Sequence, residues 1–161
     1  MQSKPYVFDT NGTTTGGDNK TYPDPRSYLS AANTSFIGES MEGVVITNIT
    51  PDATWDNGYG TACPLEGIGK GDVLIIEKSA TDSYFQNLTI KTSMGDAHGR
   101  DIALHDRSNR TILKDACLWG YQDTYVSNNQ NGKFYFEGGV DRKSTRLNSS
   151  HRLTSRMPSS A

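Results

Sequence analysis

The chain has 161 residues and a mass of 17.6 kDa, enough for one ordinary domain with its own core and too little for two large ones. Hydrophobic residues make up 34%, mean hydropathy is −0.64 and glycine, at 16, outnumbers every hydrophobic type, which excludes an unbroken helical bundle. The longest apolar run, residues 73–76, is too short for a membrane-spanning helix, and 16 Lys plus Arg against 18 Asp plus Glu leave no basic field for phosphates, so neither membrane nor nucleic acid is an expected partner.

Residues 1–32 carry Gly16-Gly17, the prolines Pro5, Pro23 and Pro25 and a run of three threonines, with few large apolar side chains. Such a stretch reads as irregular surface chain. No charged segment followed by an apolar one opens it, so the chain as given carries no secretory signal.

From residue 33 the texture changes to short β-branched and aromatic segments separated by Gly, Asn and Asp, which predicts strands at 35–37, 44–48, 72–78, 84–91, 101–105, 111–118, 124–126 and 133–136. No apolar stripe of helical length interrupts them. Gly67-Ile68-Gly69-Lys70-Gly71 lacks phosphate-loop spacing and reads as a turn. Cys63 and Cys117 lack CxxC spacing and are expected as buried thiols or one optional disulfide, while His98, His105 and His151 form no ligand pattern, so neither a metal nor another cofactor is expected.

Three segments look alike, Phe85-Gln86-Asn87-Leu88, Leu113-Lys114-Asp115-Ala116 and Tyr135-Phe136-Glu137-Gly138. Their polar third residues fall at 87, 115 and 137, steps of 28 and 22. Steps of that size, each holding two or three short strands and no helix, are what one turn of a parallel β-helix requires, and stacked turns bury an inward face that no turn can bury alone. An antiparallel sandwich with similar strand spacing is the alternative.

Residues 143–161, KSTRLNSSHRLTSRMPSSA, hold six Ser and four Lys or Arg with no acid and no aromatic. Without them the chain has 12 basic against 18 acidic residues, a net charge of −6, so this tail supplies all the balancing basicity. The string RKSTRLNSSH resembles translated adaptor read-through, and the tail is expected to be non-native and disordered. The alternative is a native basic tail for an acidic surface.

Gly120-Tyr121-Gln122-Asp123-Thr124-Tyr125 sets an amide beside a carboxylate at a strand junction. Adjacent strand residues face opposite ways, so the two can serve one site only if the chain bends there. The segment resembles the YQDTL motif of the pectin methylesterases, and the likeness extends further. Ser35-Phe36-Ile37-Gly38-Glu39-Ser40 with Gly43-Val44-Val45-Ile46 looks like an early turn of that family, Phe85-Gln86-Asn87-Leu88-Thr89-Ile90 like its F-x-N-x-T-I strand, and His98-Gly99-Arg100-Asp101-Ile102-Ala103-Leu104 falls where G-Q-A-V-A-L is common. The motifs keep their order over residues 33–142, and the resemblance is strongest to bacterial members.

The resemblance implies an all-β, right-handed parallel β-helix that hydrolyses methyl esters of polygalacturonate and releases methanol, with residues 33–142 as a partial catalytic domain. By the same likeness Asp123 is the general acid/base, Gln122 an oxyanion donor, and Trp119, Tyr121 and Arg100 line the substrate groove, with core packing as the alternative for Trp119. The division of labour follows from chemistry: one carboxylate must attack in ionised form while its partner begins protonated, and an amide donates to the developing negative charge. A secreted or periplasmic location and a monomeric complete protein are also implied.

Three departures bear on activity. Arg100 stands where the family has a glutamine, Asp141 reads as a turn acid ahead of a nucleophile strand whose Asp would fall a few residues later in the replaced stretch, and the L-G-R-x-W motif has no counterpart. The chain is therefore expected to be inactive by itself and, with an apolar end exposed, to self-associate. Two other readings remain, a non-catalytic polysaccharide-binding β-helix and a calcium-dependent lyase using Asp96, Asp101 and Asp106.

Overall fold

A computed structural model describes residues 13–15, 19–24, 26–48, 72–92, 102–121 and 123–144, with the backbone alone for residues 14, 22, 23, 121, 143 and 144. Its strands are three to five residues long, because Gly, Asn and Asp recur at that interval and turn the chain before a longer ladder can form.

A short antiparallel pair, β1 (Thr13–Thr15) with β2 (Thr21–Pro23), comes first. Four coils of three strands follow: β3 (Ser27–Leu29), β4 (Ser35–Ile37) and β5 (Val45–Thr47); β6 (Leu74–Ile76), β7 (Ser83–Gln86) and β8 (Thr89–Lys91); β9 (Leu104–Asp106), β10 (Arg110–Lys114) and β11 (Cys117–Tyr121); β12 (Tyr125–Ser127), β13 (Lys133–Glu137) and β14 (Val140–Ser144). Each strand lies parallel on its counterpart in the next coil, which builds three four-stranded sheets, β3-β6-β9-β12, β4-β7-β10-β13 and β5-β8-β11-β14. They are called here the first, second and third sheets. The fold is a parallel β-helix, and the parallel pairing of β7 with β10 and of β8 with β11 eliminates the antiparallel sandwich.

Inside the coil, equivalent side chains stack row on row. Phe36, Phe85, Leu113 and Phe136 form one ladder and Ile46, Ile90 and Leu118 another, while Leu74 and Leu104 lead to Tyr125. Phe85, Leu113, Ile90, Leu74 and Leu104 are wholly buried and belong to one contiguous core. Ring stacking supports it, with Phe36 and Phe85 centroids 5.2 Å apart and Tyr125 and Phe134 4.0 Å apart.

The corner between the second and third sheets corrects two sequence expectations. Segments 84–91 and 111–118, read as single strands, are each two strands broken at Asn87 and Asp115, whose φ values of 52° and 47° are left-handed. Asn and Asp tolerate that region better than most residues, and there the chain swings from one sheet into the next. In the last coil the corner residue is Gly138, at φ 63°, so the repeating positions are 87, 115 and 138 rather than 137. Glu137 lies one place earlier, still paired with Lys114 in the ladder.

Two boundaries also move. Ser27–Leu29, inside the stretch read as irregular, is a full member of the first sheet: Ser27 and Leu29 are buried and pair with Leu74 and Ile76. At the other end Asp141 is not in a turn. The Val140 amide donates to the Ala116 carbonyl at 2.9 Å and pairing with β11 runs on to Ser144, two residues into the predicted tail, while residues 145–161 lie outside the described ones.

Candidate functional site

β11 carries the candidate residues toward a corner. Along it Leu118 faces the core and Trp119 the outside, as strand alternation demands, and the strand ends at Tyr121. β12 begins at Tyr125 in a different sheet, so the chain passes from the third sheet to the first between Tyr121 and Tyr125. Asp123 is half-buried there. Beside it Thr124 is buried, its carbonyl accepts from the Ala103 and Leu104 amides at 3.1 Å each, and its hydroxyl oxygen has no hydrogen-bond partner. A buried hydroxyl left unpaired costs free energy and marks a place where a further group can bond. Gln122 and Arg100 lie outside the described residues, as does the Tyr121 side chain.

Trp119 is described in full. In the third sheet its register partners are Lys91 on one side and Arg142 on the other. The Lys91 Nζ stands 4.1 Å from the indole centroid and the Arg142 Cζ 5.3 Å from it, within cation–π range. β8 and β14 flank β11 on opposite sides, so the two cations come to the indole from opposite neighbouring strands. The indole thus lies between two cationic side chains of the neighbouring strands.

Two polar groups sit where residue spacing shows no ligand pattern. On the outer row of the first sheet His105 is almost wholly buried, its Nδ1 2.6 Å from the Asp72 carboxylate and its Nε2 2.9 Å from the Asn128 amide nitrogen. Both ring nitrogens therefore have hydrogen-bond partners inside the fold. Asp106, one of the three acids weighed as calcium ligands, is buried, and its carboxylate accepts from the Ser108 amide and hydroxyl at 2.8 Å each. Tyr125 donates to its other oxygen at 3.3 Å. Asp106 is thus occupied inside the fold; Asp96 and Asp101 lie outside the described residues. Burial, then the Asp106 charge, pushes the Tyr125 hydroxyl well above the usual phenol range.

Cys117 is a free, buried thiol, and burial raises its pKa, with the Arg142 charge opposing. Thr89, its neighbour in the ladder, donates to the Met41 carbonyl at 2.6 Å, so the chain around Met41 covers this end of the sheet. Cys63 lies outside the described residues.

The ladder Lys91, Trp119, Arg142 went unread in the sequence although a signal existed. Its steps of 28 and 23 equal those of the true corner positions 87, 115 and 138, so a correct period would have aligned it. Comparison with protein-family models, with curated proteins and with solved structures finds no match to the chain.

Proposed function

We propose that this chain belongs to a carboxylic ester hydrolase acting on methyl esters of polygalacturonate, with Asp123 as general acid/base and Gln122 as an oxyanion donor. The observation that supports the reading is the change of sheet between β11, which ends at Tyr121, and β12, which begins at Tyr125, with Asp123 half-buried between them. The half-buried carboxylate of Asp123 and the orphan Thr124 hydroxyl beside it support a site that receives a polar group. The ordered likeness of the four motifs selects the chemistry.

Mechanistically, a carboxylate nucleophile would attack the ester carbonyl, Gln122 would donate to the oxyanion, and Asp123 would protonate the departing methanol and then draw a proton from water. The nucleophile is not assigned to a residue of this chain. Asp141 shares a register row with Leu118, on the β14 face opposite Arg142, five residues short of Asp123 along the strand direction.

The test is methanol release from methylated pectin. The 161-residue chain should release none; the same coils continued beyond Arg142 by a strand bearing a T-D-F or V-D-F motif should turn over. In that continued protein Asp123→Asn should abolish the proton-transfer contribution, of order 10² to 10⁴ in rate. Full activity of Asp123→Asn would remove the residue from the mechanism. Calcium-dependent formation of an unsaturated product would replace the hydrolase by the lyase, and pectin binding without methanol release from the continued protein would leave a binding module.

A further inference from the structure

We propose that the outer face of the second sheet joins two copies of this chain about a two-fold axis that runs along the coil. Strand alternation turns Tyr84 and Gln86 of β7, Arg110, Ile112 and Lys114 of β10, and Lys133, Tyr135 and Glu137 of β13 away from the core. The parallel register stacks them into three columns across the strands. The middle column is Tyr84, Ile112 and Tyr135; on one side stand Arg110 and Lys133, on the other Gln86, Lys114 and Glu137. Tyr84 is half-buried, but Ile112 is 42% exposed and Tyr135 57%. Single exposed apolar side chains are ordinary, whereas a contiguous row rimmed by charge marks an interaction surface.

The flanking columns select the occupant. About a two-fold axis parallel to the coil and above the middle column, each strand faces its own counterpart in reverse, so Tyr135 closes on Tyr135, Ile112 on Ile112 and Tyr84 on Tyr84. A residue two places before the apolar column then faces the residue two places after it. Lys133 meets Glu137 of the second copy, twice by symmetry, and neither has an ion-pair partner among the described residues of its own chain. Arg110 faces Lys114 of the second copy, but it already holds Asp82, so that contact sets a cation against an ion pair and not against a bare charge. An axis along the strands would lay each column on itself, with Arg110 and Lys133 against their own kind. Charge therefore chooses the first axis. Four strands about 4.8 Å apart and about five residues long offer a face of about 300 Å² on each copy. A stable complex uses about 800 Å² per partner, so this pair is a weak one that forms as concentration rises.

The interface departs from the monomer implied by the resemblance and does not rest on the ester-hydrolase reading. Sedimentation equilibrium of the full chain from about 10 μM to about 1 mM tests it, the range in which weak complexes form. The average mass should climb from 17.6 kDa toward twice that value and stop, because an isologous pair uses up both faces, whereas coils stacked end to end would grow without limit. Lys133→Glu and Glu137→Lys should each weaken the pair about tenfold, since each sets like charges opposite one another at both contacts. Mixed in equal amounts, these two variants should associate as well as the parent, because each supplies the charge the other lacks; misfolding cannot imitate that recovery. Tyr135→Ser should weaken the pair as much and should not recover in any mixture. Lys78→Glu, an exposed cation in the turn between β6 and β7, should leave the pair unchanged. A mass that stays at 17.6 kDa, growth past two copies, mixed variants that associate no better than each alone, or equal loss in Lys78→Glu would each overturn the interface.

Discussion

The two middle coils and the last coil share one pattern of residues and one register, yet they are not equally buried. Phe85 and Leu113 are wholly enclosed, while Phe136, next in the same ladder, is only half-buried. Among the described residues the middle strands have a neighbour on each side, and β12, β13 and β14 have one each. Burial in a stacked fold is thus a property of position in the stack and not of the local alternation, since each coil supplies only half of the enclosure of the next.

Truncating the same ladder at two heights breaks or sharpens this comparison. Phe85→Ala should cost about 3–5 kcal/mol, the range for removing an enclosed aromatic side chain, whereas Phe136→Ala should cost about 1–2 because part of its surface already meets water. Urea unfolding followed by fluorescence gives both values. Equal losses would mean that the last coil is as enclosed as the middle ones and that something covers its outer edge.

The next contrast lies at the repeated corner, where the middle coils place Asn87 and Asp115 in left-handed backbone and the last coil places Gly138. A Cβ at Gly138 would collide with Asp115 Oδ1 and would also carry the left-handed strain of a residue other than glycine. Gly138→Ala should therefore destabilise by about 1–2 kcal/mol. The collision is with the end of a side chain, so Asp115→Gly should recover part of the loss, and the double variant should be more stable than the two single costs predict. Additive costs would show that the backbone strain alone sets the penalty.

These corners also show what the sequence could and could not disclose. The stack was legible in the recurring F-x-N and L-x-D segments, because polar residues at corners must repeat when coils repeat. The division of segments 84–91 and 111–118 into two strands each was not, since nothing in the residue types says that Asn87 and Asp115 adopt positive φ. β3 escaped notice because its neighbours are prolines and polar residues; its burial comes from Leu74 and Ile76, 47 residues later. At the candidate site the junction between two strands was legible, because segments 111–118 and 124–126 read as separate strands. The cations on Trp119 were not, because they come from two other coils and become adjacent only when the register is known.

The smallest expected effect concerns Tyr125, where the last coil meets the middle ones through a hydroxyl 3.3 Å from the buried Asp106 carboxylate. Burial and the Asp106 charge both disfavour the phenolate, so its pKa in the folded protein lies above the unfolded value of about 10. A group raised on folding contributes stability that is fully present below the unfolded pKa and is lost as pH climbs from there through the folded value. At pH 7 Tyr125→Phe removes one long hydrogen bond and should cost less than about 1 kcal/mol. Above pH 10 the parent protein loses stability that the Phe variant has no phenol to lose, so the gap between them should close and then reverse. Urea midpoints measured from pH 7 to pH 11 test this, and the difference between the two proteins cancels the titration of the other tyrosines and lysines. Curves that stay parallel over the whole range would mean that the Tyr125 hydroxyl reaches water and that the last coil lies more open against Asp106 than its ring stacking on Phe134 implies.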